Sequence, residues 1–153
     1  MPTLFAIDSA NLVVQSSSNA AIVGNPVINN SDTPNGTVFT YTSGGGTTVD
    51  IQDTGGSPVI FEDDNTAGHV VIDGGGIVAN GTGVEAESLI SLRALDAGGT
   101  QIGPTITITV FSQNGVFSDV WGFSSDIPLQ DGVSYVKVGG SNIGSTTYTS
   151  FIT

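Results

Sequence analysis

The chain has no cysteine, one histidine, one tryptophan and only two basic side chains, Arg93 and Lys137. Each shortage excludes something. Without cysteine there is neither a disulfide framework nor a thiolate metal site, and one imidazole is too few soft ligands for zinc. Two cations cannot follow a row of phosphates, which argues against nucleic acid and against anionic membrane surfaces. No stretch approaches the ~20 apolar residues of a membrane span. Residues 1–8 lack the basic n-region and long apolar h-region of a secretory signal. An exported chain of this kind has its signal elsewhere or has lost it.

Against these shortages stand 14 carboxylates in 153 residues, a formal net charge of −12, and 22 glycines. Charged residues are nevertheless only 10% of the chain, and the remainder is rich in Val, Ile, Thr and Phe, so the chain is no disordered acidic tail. Its length suits one domain, or two small ones, with a real core. A folded chain with so few internal counter-ions limits its self-repulsion in high salt, where screening lengths shrink, or by binding multivalent cations. Both point to an extracellular or cell-surface setting.

Helical periodicity is nearly absent, and strand signals recur throughout. The clearest is 105–110, where Ile106, Ile108 and Val110 alternate with Thr105, Thr107 and Thr109, an apolar face opposite a hydroxyl face. It pairs with 88–94, whose apolar face is Ile90, Leu92 and Ala94, through a hairpin containing Asp96-Ala97-Gly98-Gly99. Further strand candidates are 4–7, 12–15, 20–23, 37–42, 47–52, 59–61, 69–72, 120–123, 133–138 and 147–152, separated by Gly-rich turns at 43–46, 54–57, 73–76 and 139–142. This pattern predicts an all-β fold, a β-sandwich or jelly roll. A β-solenoid is disfavoured, because the glycine clusters keep no fixed period. The polar stretches 16–19 and 25–36 suggest an N-terminal strand segment, 1–24, joined to a β-sandwich domain, 25–153.

The densest carboxylate run is Glu62, Asp63, Asp64 and Asn65, directly after an apolar run. Oxygens leaving a strand at adjacent positions can converge on Ca²⁺, which takes six to eight of them; Asp73 and Glu87 are further candidate ligands downstream. The plainer reading is a solvated acidic loop with an Asx-turn. Glu85 and Glu87, two apart on a strand, stand about 7 Å from each other, nearer an inverting than a retaining glycosidase pair. Nothing around them marks the apolar cleft that a catalytic acid needs. His69, beside Val70, Val71 and Ile72, reads as a strand position rather than a general base. Trp121 lies close to Asp119, a combination found on sugar-binding faces, although a lone tryptophan is more often a core side chain.

Two stretches together carry a family resemblance: Ile60 through Asn65 followed by Gly68 through Gly74, and Glu87 through the Asp96–Gly99 hairpin to Ile127-Pro128-Leu129-Gln130-Asp131-Gly132-Val133-Ser134-Tyr135 and the Thr-rich end. Residues from about 50 to 153 resemble the N-terminal region of secreted bacterial proteins that carry a hedgehog/intein-type (Hint) autoprocessing domain. The resemblance implies export and calcium, and it names no activity. It also implies that Thr153 lies where self-cleavage before a Hint cysteine would leave a chain.

These features lead to an expectation of a non-enzymatic extracellular structural subunit, stabilised by Ca²⁺ and assembling into a homo-oligomer, fibre or matrix. The strand exchanged between subunits would carry Leu4, Phe5, Ile7, Leu12 and Val14. The alternative is a carbohydrate-binding or adhesion module using Trp121 and Asp119 on a glycan. The alternating strand supplies the first test. Ile108→Asp, which buries a carboxylate at its centre at a cost of several kcal/mol, should abolish cooperative unfolding in a circular-dichroism melt; a soluble, cooperatively melting variant would put the other face inside.

Overall fold

A computed structural model of the chain describes residues 3–42, 46–53, 69–113 and 116–142. Among them are nine strands: β1 (Thr3–Asp8), β2 (Leu12–Ser16), β3 (Val38–Tyr41), β4 (Thr47–Asp53), β5 (His69–Asp73), β6 (Val84–Leu95), β7 (Gln101–Gln113), β8 (Val116–Ser125) and β9 (Ser134–Asn142). They form one antiparallel sheet in the order β2-β3-β9-β6-β7-β8-β1-β4-β5. The fold is all-β and sandwich-like, as the alternating pattern predicts. The expected hairpin is present: Ile90 faces Ile108 across β6 and β7. Its turn closes through Gly99 N to Asp96 O at 3.0 Å, with Gly99 at φ +82°, a conformation glycine adopts freely. Residues 20–23, expected as a strand, hold a 3₁₀ turn over Ala20–Ile22 instead. The Asn19 side chain accepts from Ala21 N and its carbonyl from Ile22 N, which winds the backbone before it can extend. Two other expected strands, 59–61 and 147–152, lie outside the described residues.

The sheet buries apolar side chains on both faces, in two separate cores. One contains Leu12, Phe39, Ile90, Ile106, Ile108, Val110, Phe123 and Tyr135. The other contains Leu4, Ala6, Val49, Ile51, Val71, Val84, Ala86, Phe111 and Trp121. Neighbours in a strand point to opposite faces, so the pairs Ala6/Ile7 and Val110/Phe111, split between the cores, place the cores on opposite sides. In β6 and β8 the split needs more than alternation, because Ala86 and Ile90 have the same parity, as do Trp121 and Phe123. A bulge resolves each case. The β6–β7 register shifts at Glu87, between Ala86↔Phe111 and Ser88↔Val110. The β7–β8 register shifts at Trp121, between Phe111↔Gly122 and Ser112↔Val120. One extra residue inverts the face of everything beyond it.

Both edges of the sheet are covered by the chain's own backbone. Outside β2 run residues 24–27, with Val14 N bonded to Asn25 O and Val27 N to Leu12 O. Outside β5 run residues 81–83, with Val71 N bonded to Thr82 O and Gly81 N to Val71 O. Edge strands left open would invite pairing with other chains.

The N-terminal segment departs from expectation. β1 is an interior strand, paired with β4 through Thr3–Ala6 and with β8 through Ile7 and Asp8. Leu4, Ile7, Leu12 and Val14 are buried, and Phe5 is half-buried. With both of its edges bonded within the same chain, β1 is part of the body rather than a projecting docking strand, and residue 24 does not divide the structure. Removing residues 1–8 should therefore leave a chain without a cooperative melt. A folded, monomeric truncation product would restore the docking role.

Candidate functional site

The two basic residues have unlike fates. Lys137, on β9, is 4% exposed. Its Nζ donates to Asn30 Oδ1 at 2.6 Å and Asn30 O at 3.3 Å, and to the carbonyl of Thr33. The same residue's backbone bonds Thr37 O and Gly36 N, so one side chain and one strand tie segment 29–37 to the sheet. Burial pulls the ammonium below its ordinary value of 10.5, since desolvation disfavours the charged form. Arg93, by contrast, reaches the surface. Its Nε and Nη2 donate to Gly103 O at 3.2 and 2.8 Å, and Nη1 donates to Gln101 Oε1 at 3.3 Å.

The carboxylates expected to hold calcium do not gather among the described residues. Glu62, Asp63, Asp64 and Asn65 lie outside them. Asp73 is exposed, and its Oδ1 accepts from Gly75 N at 3.0 Å in a turn. Glu87 is the buried bulge residue of β6, and its Oε2 accepts from Ser112 Oγ at 3.2 Å. Among the described residues no three His, Cys, Asp or Glu side chains are grouped to hold a metal. One acidic pair was not legible in the sequence: Asp50 stands directly opposite Asp73 across β4 and β5. Like charges so placed repel, and only the strand register, with its shift between Asp50 and Ile51, brings them together. Glu85 is 1% exposed and His69 is 2% exposed; both are interior strand residues.

Trp121 is a core side chain, not a sugar platform. It is 4% exposed, stacks on Phe111 at a centroid distance of 5.4 Å, and its indole N–H donates to Ser112 O at 3.1 Å. Asp119 is exposed, accepts from Gln113 Nε2 at 3.2 Å, and borders a shallow depression of about 170 Å³ beside Pro26 and Ile28. A second irregularity in β8, between Gln113↔Val116 and Ser112↔Val120, takes Asp119 out of the regular ladder. Asp119 stays outside while the indole turns into the core.

A feature the sequence reading missed lies at the hairpin end of β6 and β7. The register jumps from Leu92↔Ile106 to Ala94↔Ile102, so Gly103, Pro104 and Thr105 bow outward. Gly103 takes φ +73°, Pro104 has no N–H to lose from the ladder, and Arg93 satisfies the carbonyl of Gly103. Loop 126–133 crosses the same end. Between bulge and loop opens a cleft of about 290 Å³, lined by Ala94, Leu95, Ile102 to Pro104, Ile106, Ile127, Pro128, Gln130, Val133 and Tyr135. The Gly-Pro pair at 103–104 was the available sequence signal, because a glycine and a proline inside a strand pattern mark a bulge.

No protein-family model matches the chain, and no curated protein or solved structure is significantly similar to it. No helix among the described residues is long and apolar enough to cross a membrane.

Lys137→Met, which keeps the stem's bulk but removes the donor to three carbonyl oxygens, should lower stability by about 1.5–3 kcal/mol in urea denaturation. The pH dependence has a definite sign. With the folded pKa lowered, the unfolded chain binds more protons between that value and 10.5, so this group's contribution to stability rises with pH across that window. The rise should be missing from the methionine variant.

Proposed function

We propose that the chain is a non-enzymatic, extracellular structural domain whose acidic surface is neutralised by divalent cations, calcium foremost. The supporting observation is the burial of Lys137. With the Lys137 ammonium enclosed on carbonyls, the half-buried Arg93 is the one lysine or arginine that reaches solvent on a chain of net charge −12. Asp50 and Asp73 face each other across β4 and β5, a placement that a shared cation relieves. The resemblance to the N-terminal region of Hint-bearing secreted proteins points the same way, to export and calcium. Assembly into a fibre or matrix is part of the proposal. The intrachain pairing of β1 and the covered edges of β2 and β5 favour joining subunits through cation bridges between acidic faces rather than through an exchanged β1. A carbohydrate-binding role has less support, since Trp121 is enclosed.

Binding to the native state alone raises stability by mass action. Calcium at about 100 times its dissociation constant should raise the melting temperature by roughly 5–10 °C in a domain of this size, and particle imaging should show larger species with Ca²⁺ than with chelator. Identical melts in millimolar Ca²⁺ and in excess EDTA at matched ionic strength would remove calcium from the reading.

A further inference from the structure

The cleft at the hairpin end has the attributes of a small-molecule site. Ile102 is 45% exposed, and it shares a concave apolar surface with Ala94, Ile106, Ile127 and Val133. Exposed apolar groups gathered in a concavity mark binding sites more often than singly scattered ones do. At about 290 Å³ the space lies at the small end of ligand pockets, roughly 300–1,000 Å³, which suits one compact molecule better than a length of peptide.

Both walls are built in advance. The bulge wall is held by Arg93 on Gly103 O. The loop wall is pinned by Thr107 N to Asp126 Oδ1 at 2.8 Å, Gln130 N to Tyr135 Oη at 2.8 Å, and Gly132 N to Tyr41 O at 2.8 Å. A pre-formed site avoids the ordering cost of closing on its ligand.

Carboxylates outnumber cations around it: three aspartates stand against one basic residue, Arg93, which adjoins Ala94 and is bonded to Gly103 O. Asp96, Asp126 and Asp131 are exposed, and each adjoins a lining residue in the chain: Leu95, Ile127 and Gln130. Asp96 and Asp126 each engage backbone N–H groups through Oδ1, and each carboxylate has a second oxygen with acceptor capacity. The charge of Asp131 is felt at Tyr41, whose pKa is raised by burial first, then by Asp131 and Tyr135. The cleft's Arg93 is turned to the Gly103 carbonyl, so an anionic ligand would meet carboxylates without a cation set aside for it.

We propose that this cleft binds a small amphiphilic cation, an aliphatic or aromatic amine whose hydrocarbon body fills the apolar floor and whose ammonium is met by the neighbouring aspartates. This site is independent of the calcium reading, so it is tested in EDTA.

The experiment is an NMR titration of ¹⁵N-labelled full chain with 2-phenylethylammonium chloride at low ionic strength. Parallel titrations use 2-phenylethanol, its neutral counterpart, and sodium chloride. Saturable shifts are expected at Ala94, Leu95, Ile102, Ile106 and Val133. The alcohol should bind about fivefold more weakly, and Asp131→Asn should weaken the amine about two- to fivefold, the range of partly exposed ion pairs. Ile102→Gln, at a position 45% exposed, should abolish saturation while leaving the remaining spectrum unchanged. Shifts that never saturate, that spread over the acidic surface as they do with sodium chloride, or that the alcohol reproduces at equal affinity would overturn the proposal.

Discussion

A sheet that buries both faces needs a device to change which side of a strand is apolar, and here that device is a pair of single-residue bulges. Glu87 in β6 and Trp121 in β8 each add one residue against the central part of β7. On one side of each bulge, side chains enter the core around Ile90 and Ile108; on the other, they enter the core around Val49 and Phe111. β7 needs no bulge, because Val110 and Phe111 already alternate between the two. The rest of the architecture follows from this inversion. One core lies against β2, β3 and β9 and the other against β1, β4 and β5, and each edge of the sheet is covered by the chain's own backbone.

The same geometry determines where charge can sit. β9 and segment 29–37 enclose Lys137, so one of the chain's two strong cations serves the interior. Replacing a buried donor leaves carbonyls without a partner, which is why the residue matters to stability even though no carboxylate is among its bonds. The consequence outside is a surface with carboxylates and little to balance them. A charge balance that is already strongly acidic in the sequence, 14 carboxylates to two basic residues, becomes more one-sided at the surface once the lysine is removed from solvent.

Irregularities in strand pairing also shape the places where ligands could act. The outward bow at Gly103 and Pro104, together with loop 126–133, produces the cleft, and its walls are held mainly by side-chain-to-backbone hydrogen bonds. The cross-strand facing of Asp50 and Asp73 is likewise a product of register. Neither arises from a motif of adjacent residues, so the chemistry they suggest is one of electrostatic and apolar complementarity rather than of a catalytic constellation.

The sequence by itself determined the all-β class, the β6–β7 hairpin and its glycine turn, and the inward face of Ile106, Ile108 and Val110, because these depend on period-two alternation and local turn chemistry. It also determined the acidic balance. What it could not determine is anything that depends on counting residues across a pairing. The alternation of Val84, Ala86, Ser88 and Ile90 is unbroken in sequence, yet Glu87 takes the first two to the opposite core. Trp121 and Asp119 are two apart and so would share a face in a regular strand, but Asp119 falls in a register shift between Val116 and Val120 and stays exposed while the indole is buried. β1 is apolar enough to be either an exchanged strand or an interior one, and only its placement between β8 and β4 decides between them. Register and strand order are set by long-range hydrogen bonds and by which apolar surfaces meet, and no local pattern encodes either.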